Sequence, residues 1–133
     1  MPPMNITLSD LFVVLFVHWL ADFVTQADKI AKAKSHSLWF LFEHVLTYTA
    51  VTSIGSFFLF FVFGRIAPGL VLGWALFNGA AHFVTDYFTS KWVSHFFAKQ
   101  DHHNGFVIIG LDQVIHLVCL TWSLAYLRTL IPV

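Results

Sequence analysis

The sequence predicts an all-α integral membrane protein, a bundle of four transmembrane helices arranged as two pseudo-symmetric helical hairpins. Of 133 residues, 58% are hydrophobic and 11% are charged, and the mean hydropathy is +0.75. A soluble domain carries about 25% charged residues, so this chain has too little polar surface to face water. Four apolar stretches approach or exceed the about 20 residues that a helix needs to cross hydrocarbon. Residues 1–133 are predicted to form one domain.

The charge balance excludes a nucleic-acid partner. Seven basic and seven acidic residues give a formal net charge of zero, without a basic stripe. The one cysteine, Cys119, excludes an internal disulfide. The first apolar stretch lacks a preceding positive region and a small-residue cleavage site, so we expect a retained span rather than a signal peptide.

The four spans are predicted from the limits of the apolar stretches. The first covers about 6–27 and ends in a lysine-rich polar connector. The second covers about 38–63, and Pro68 then suits the first turn of the next helix. The third covers about 69–97, with its last turns beyond the hydrocarbon, and the fourth covers about 106–130.

The basic residues predict the orientation. The connectors after the first and third spans contain Lys29, Lys32, Lys34, Lys91 and Lys99. The opposite side contains only Arg65 and Arg128. Because lysine and arginine concentrate in cytoplasmic loops, both lysine-rich connectors are predicted to be cytoplasmic and both termini to lie outside the cytoplasm.

An internal repeat is visible in the first and third spans. Aligning His18 with His82 also aligns Asp22 with Asp86. Each following helix then carries a further histidine in its cytoplasmic half. Two helices per repeat place the pseudo-two-fold axis along the membrane normal.

Seven ionisable side chains are predicted to occupy one layer of the membrane. Residues four apart share a helical face, and the spans contain three such pairs of histidine and aspartate. The predicted spans place all these groups in the cytoplasmic half of the bilayer. The candidate site residues are His18, Asp22, His44, His82, Asp86, Asp112 and His116.

A divalent metal is the predicted cofactor, because an ionised aspartate facing lipid costs about 2.5–3.5 kcal/mol unless it has a partner. Mixed histidine and aspartate ligands suit Zn, Mn or Fe. Seven groups exceed one tetrahedral zinc site, so they predict two ions, or one ion with a spare acid–base pair. Asp112 has no counterpart in the first repeat and is expected to bridge metals or to handle a proton. Glu43 is predicted to pair with an interfacial lysine or to join the site.

Four motifs resemble those of the domain of unknown function 3307 family of bacteria and phages. They are "HWLADFVTQ", "FEHVLTY", "HFVTDYFTSK" and "LDQVIH". The resemblance covers nearly the whole chain and implies a four-span protein of the bacterial inner membrane. The spacing is also similar to that of small membrane-bound metal-dependent hydrolases, which implies hydrolysis.

The sequence leaves four functions open. The leading hypothesis is a metal-dependent hydrolase acting on a lipid or lipid-linked ester or phosphoester near the cytoplasmic leaflet, with Asp112 as bridging ligand or general base. The alternatives are a transporter or channel for metal ions or protons, a haem-binding bundle, and a non-enzymatic bacterial or phage membrane interaction protein. Membrane lipids and a divalent metal are the expected partners, and a homo-oligomer stays open.

Overall fold

The computed structural model describes residues 6–58, 60 and 66–130, and these residues contain helices but no β-strand. The elements are α1 (Leu8–Trp19), a π-helical turn (Leu20–Val24), α2 (Asp28–Ala33), α3 (Leu38–Ser56), α4 (Pro68–Ala98) and α5 (His102–Thr129). The predicted all-α class is confirmed.

The helices follow the predicted spans, with differences at their ends. The π-helical turn directly continues α1, and the short helix α2 lies within the predicted polar connector. The predicted end of the second span at residue 63 and Arg65 lie outside the described residues. Helix α5 begins at His102, four residues before the predicted start.

Local sequence signals explain where the helices begin and end. Thr7 and Asp10 form a reciprocal capping box at the start of α1. Pro68 occupies the first turn of α4, where its missing N–H has no cost. Gln100, with a φ of 59°, turns the chain after α4. The Asp101 side chain then caps α5 by accepting a hydrogen bond from the backbone N–H of Asn104.

The four long helices form a ring. Helix α4 packs against α3 and α5, and α1 packs against the same two helices. A pseudo-two-fold axis would place α1 on α4 and α3 on α5. The pattern of neighbouring helices is the same after this exchange, in agreement with the predicted axis.

The interior of the ring has two layers. An apolar cluster occupies the end nearest the chain termini, and buried histidine and aspartate side chains lie toward the α2 end. The apolar cluster consists of Val14, Phe60, Ile66, Val71, Trp74, Ala75, Leu120, Leu124 and Leu127. The fold therefore concentrates the buried histidines, and the buried aspartates other than Asp10, at one level along the bundle.

Among the described residues, α5 is the one helix whose length and apolar composition suffice to cross a membrane. Helix α1 has only 12 residues before its π-helical continuation, and α3 and α4 carry buried polar side chains within their apolar stretches. The all-α bundle is thus established, and the number of spans stays a prediction.

Candidate metal centre

The structure brings the seven predicted residues together in one layer, called here the His/Asp cluster. Its members are His18 of α1, Asp22 of the π-helical turn, His44 of α3, His82 and Asp86 of α4, and Asp112 and His116 of α5. Six of them are buried, and the Asp112 side chain is 14% exposed. Glu43 does not take part in either group of potential metal ligands described below.

The π-helical turn positions Asp22. Such turns insert an extra residue into a helix and are frequent at functional sites. Asp22 Oδ1 lies 3.2 Å from His44 Nε2 and 3.4 Å from His82 Nε2. One carboxylate oxygen of the first hairpin therefore contacts imidazoles on two other helices.

Four side chains form the first group of potential ligands. Asp22, His44, His82 and Asp86 each offer an atom within 4.8 Å of the others, and all four residues are buried. The two Nε2 atoms of the histidines are 2.9 Å apart. Asp86 Oδ2 lies 3.4 Å from His44 Nε2 and 3.6 Å from His82 Nε2.

These separations suit a tetrahedral ion. Bonds of about 2.0–2.2 Å to nitrogen and oxygen place tetrahedral ligand atoms roughly 3.3–3.6 Å apart. The four histidine–aspartate distances in the group run from 3.2 to 3.6 Å. Two imidazoles and two carboxylates could therefore hold a metal ion once the His44 and His82 Nε2 atoms, 2.9 Å apart, separate by about 0.4–0.7 Å.

A second group adjoins the first and shares a carboxylate with it. Asp22, Asp112 and His116 also offer atoms within 4.8 Å of one another. His116 Nε2 lies 3.3 Å from Asp112 Oδ2 and 3.2 Å from Asp86 Oδ1. Asp22 belongs to both groups, and the two oxygens of Asp86 face different groups, so these aspartates have the geometry of bridging ligands.

His18 and Asp112 take positions at the edge of the cluster. His18 belongs to neither group. Tyr48 Oη lies 3.3 Å from its Nδ1, and Gln113 Oε1 lies 3.0 Å from its Nε2. Asp112 accepts a hydrogen bond from Thr89 Oγ1 at 2.6 Å. Of its two predicted roles, this edge position favours handling a proton.

The distances within the two hairpins repeat. The Asp22–His44 and Asp86–His116 contacts are both 3.2 Å. The predicted His-x-x-x-Asp pairs are 3.8 Å apart in the first hairpin and 3.6 Å apart in the second. The cluster thus has the pseudo-symmetry that the sequence repeat predicted, and Asp112 breaks it.

His82 is the most enclosed imidazole. Its ring stacks between Tyr48 and His116, with centroids 3.9 Å and 4.1 Å away. Its Nδ1 is buried without a hydrogen-bond partner in the described part of the chain, while its Nε2 faces the aspartates. These stacked neighbours fix the plane of the ring and leave no room for a macrocycle beside it.

Several contacting residues received no site role from the sequence. Lys34 Nζ donates to Asp86 Oδ2 at 2.6 Å, whereas the sequence predicts for this lysine a role in topology or in attracting anionic lipid head groups. Gln26 Nε2 lies 3.1 Å from His44 Nδ1. Tyr48 follows His44 by four residues in α3, so helical spacing could have identified it, whereas Gln26 lies between the π-helical turn and α2.

A cavity of about 620 Å³ connects the cluster with the surface at the α2 end. Asp22, Asp86 and Asp112 line its deep side, and Lys34 lines another part of the wall. The carboxylates are therefore within reach of a molecule that enters from this end.

The fold and site together define an all-α bundle with a buried His/Asp cluster that could hold a metal ion. The chain belongs to the family described as Protein of unknown function (DUF3307), whose model matches residues 11–131. The match includes every member of the cluster and confirms the family resemblance. No curated protein and no solved structure matches the chain.

Proposed function

We propose that the protein is a membrane-embedded metal-binding hydrolase that cleaves an ester or phosphoester of a lipid or lipid-linked substrate near the cytoplasmic leaflet. The observation that carries this proposal is the buried shell of Asp22, His44, His82 and Asp86, with nearly tetrahedral ligand separations. Imidazole and carboxylate donors together favour Zn, Mn or Fe. The second ligand group, Asp22, Asp112 and His116, could hold a second ion.

The cluster also contains a base for hydrolysis. A bound metal of this type supplies Lewis acidity toward water and toward the substrate oxygen. Asp112 faces the cavity, held by Thr89 Oγ1 and by Gln113 Nε2. In the proposed reaction, Asp112 accepts a proton from water as the water oxygen bonds to the acyl carbon or phosphorus. The ester bond breaks, and the leaving oxygen receives the proton.

The outer surface supports a membrane location. Large apolar side chains face outward around the bundle, with Trp122 69%, Trp39 68% and Phe12 65% exposed. Such a surface suits lipid, since soluble proteins rarely expose large contiguous apolar patches. The lysine-rich connectors and the cavity share one end, which the proposal assigns to the cytoplasm of a bacterium.

Other functions receive less support from the geometry. A transporter needs a polar route through both halves, whereas the half beyond the cluster contains the packed apolar cluster. A haem needs space between its axial histidines, whereas His82 and His116 stack directly. A purely structural cluster is the strongest alternative, because hydrogen bonds already join its members.

Metal content tests the proposal. We expect detergent-purified protein to contain one or two equivalents of Zn, Mn or Fe by mass spectrometry. His82→Ala/His116→Ala should lose the metal, because the two substitutions remove one ligand from each group. The control His95→Ala/His103→Ala changes two exposed histidines outside the cluster and should retain it. Folded protein that contains no metal, although it was produced in cells supplied with metal, would contradict the proposal and support a purely structural cluster.

A further inference from the structure

The approach to the His/Asp cluster combines a cation, a free hydroxyl and apolar walls. The cavity of about 620 Å³ is lined by Lys34 and Ser90 beside the aspartates, and by Phe23, Val93 and Phe97. Ser90 Oγ is buried and has no hydrogen-bond partner in the described part of the chain. Polar groups therefore surround the deep part of a cavity whose other walls suit a hydrocarbon chain.

Lys34 occupies the side of the cluster that faces this cavity. Its Nζ is 2.6 Å from Asp86 Oδ2, the same oxygen that faces the two histidines of the first ligand group. The Lys34 side chain is only 16% exposed, although it follows a surface helix. Its ammonium group therefore neutralises the carboxylate that a metal ion would need.

Metal binding and the Lys34–Asp86 pair compete. A divalent ion at Asp86 Oδ2 would lie within a few ångströms of the ammonium, and like charges at that distance repel strongly in a buried site. Because Lys34 caps the end of α2 and lines the cavity, the displaced ammonium remains within reach of the cavity. A buried cation needs an anionic partner, and an anion entering from the open end can supply it.

We infer that the cavity binds the phosphate group of the substrate, and that Lys34 exchanges Asp86 for this phosphate when the metal binds. The inference rests on the proposed function and narrows its substrate to a phosphoester. Phosphate offers several acceptor oxygens, which suit the Lys34 ammonium, the Ser90 hydroxyl and the metal together. Lys34 is thus a specificity-determining residue, and the apolar walls accommodate the rest of a lipid substrate.

Inorganic phosphate is the first probe, titrated calorimetrically into zinc-loaded protein freed of excess zinc. We expect Lys34→Met to bind phosphate at least tenfold more weakly than the unchanged protein and to bind zinc equally well or more tightly. Lys34→Arg keeps the cation and should bind phosphate within a few-fold of the unchanged protein. Lys29→Met, which removes a lysine near Phe40 outside the cavity, should change neither affinity.

The outcomes separate the two proposals. A protein that binds no zinc contradicts the proposed metal centre itself. Two outcomes overturn only the inference about Lys34. In one, zinc-loaded protein does not bind phosphate; in the other, folded Lys34→Met binds zinc and phosphate as tightly as the unchanged protein. Zinc binding that weakens in Lys34→Met contradicts the competition for Asp86.

A lipid arm identifies the source of the phosphate. Zinc-loaded protein is placed in nanodiscs of phosphatidylcholine, with or without phosphatidic acid, and titrated with inorganic phosphate. Competition by phosphatidic acid supports a lipid head group as the ligand, and undiminished phosphate binding supports a soluble phosphate. If Lys34→Met binds phosphate as tightly as the unchanged protein in both kinds of nanodisc, the inference is overturned.

Discussion

At the scale of single residues, the bundle must stabilise two carboxylates that it buries. Asp22 and Asp86 are both buried, and an isolated buried carboxylate costs several kcal/mol. Each accepts contacts from histidines of two helices, and Lys34 adds a full positive charge to Asp86. A divalent ion held by this cluster could neutralise both carboxylates at once.

Asp112→Asn tests the proton-handling role. We expect the ion of the first ligand group to be retained, because that group does not contain Asp112. Hydrolysis of a fluorogenic lipid phosphoester should fall by about 10²–10⁴-fold, the range for loss of a general base. Asp86→Asn serves as the comparison and should lose metal and activity together. An Asp112→Asn protein with full metal and full turnover would contradict the assignment.

At the scale of helices, the close approach of α3 and α4 depends on a glycine. A Cβ atom at Gly79 would collide with the Thr49 side chain, whose Oγ1, Cβ and Cγ2 all lie near. Rotation of a β-branched side chain cannot clear such a contact. This approach lies one turn before His82 in α4 and therefore controls how closely the histidines of the two helices meet.

Gly79→Ala should destabilise the bundle by about 1–3 kcal/mol, the usual cost of overpacking a tight contact. Gly73→Ala is the matched control in α4, because its Cβ would meet nothing within 4 Å. The control should be neutral or stabilise slightly, since alanine favours helix. Thermal unfolding in detergent measures both changes. Adding Thr49→Ala should restore part of the loss, and equal stability of the two alanine variants would argue against the contact.

Apolar length and the spacing of four along a helix predicted the helices and the cluster. Neither signal predicts contacts between residues that lie far apart in the chain. The spacing of four between His82 and Asp86 fixes a shared face before any tertiary structure is known. The 52-residue separation of Lys34 and Asp86 gives no such signal, because their contact depends on how α2 lies on the bundle. The π-helical turn around Asp22 was also missed, since its extra residue leaves the apolar pattern almost unchanged.

At the scale of the whole molecule, the two ends of the bundle differ in the polarity of their interior. The His/Asp cluster and its cavity belong to the α2 end, and the apolar cluster closes the other end. Helix α4, at about 1.5 Å per residue, is roughly 46 Å long from its 31 residues. It exceeds the about 30 Å hydrocarbon thickness, so its lysine-bearing last turns suit the polar region beyond.

Cysteine labelling tests the predicted orientation, in a Cys119→Ser background. Ser9→Cys, at the start of α1, should react with an impermeant maleimide in intact spheroplasts. His103→Cys, at the start of α5, should react only after the inner membrane is opened. Both positions are exposed, so accessibility reports their side of the membrane. The reverse pattern would invert the topology, and labelling of both in intact spheroplasts would contradict the crossing of at least one of α1, α3 and α4, the helices between the two positions.

The ion pair between Arg128 and Asp10 joins the last helix of the bundle to the first. Asp10 also completes the capping box that begins α1, so one carboxylate links the start of the chain to residues 118 positions later. During biosynthesis, Arg128 is added 118 residues after Asp10, when α1, α3 and α4 have already been made. Until then Asp10 lacks its positive partner, and the ring can close only after α5 has been made.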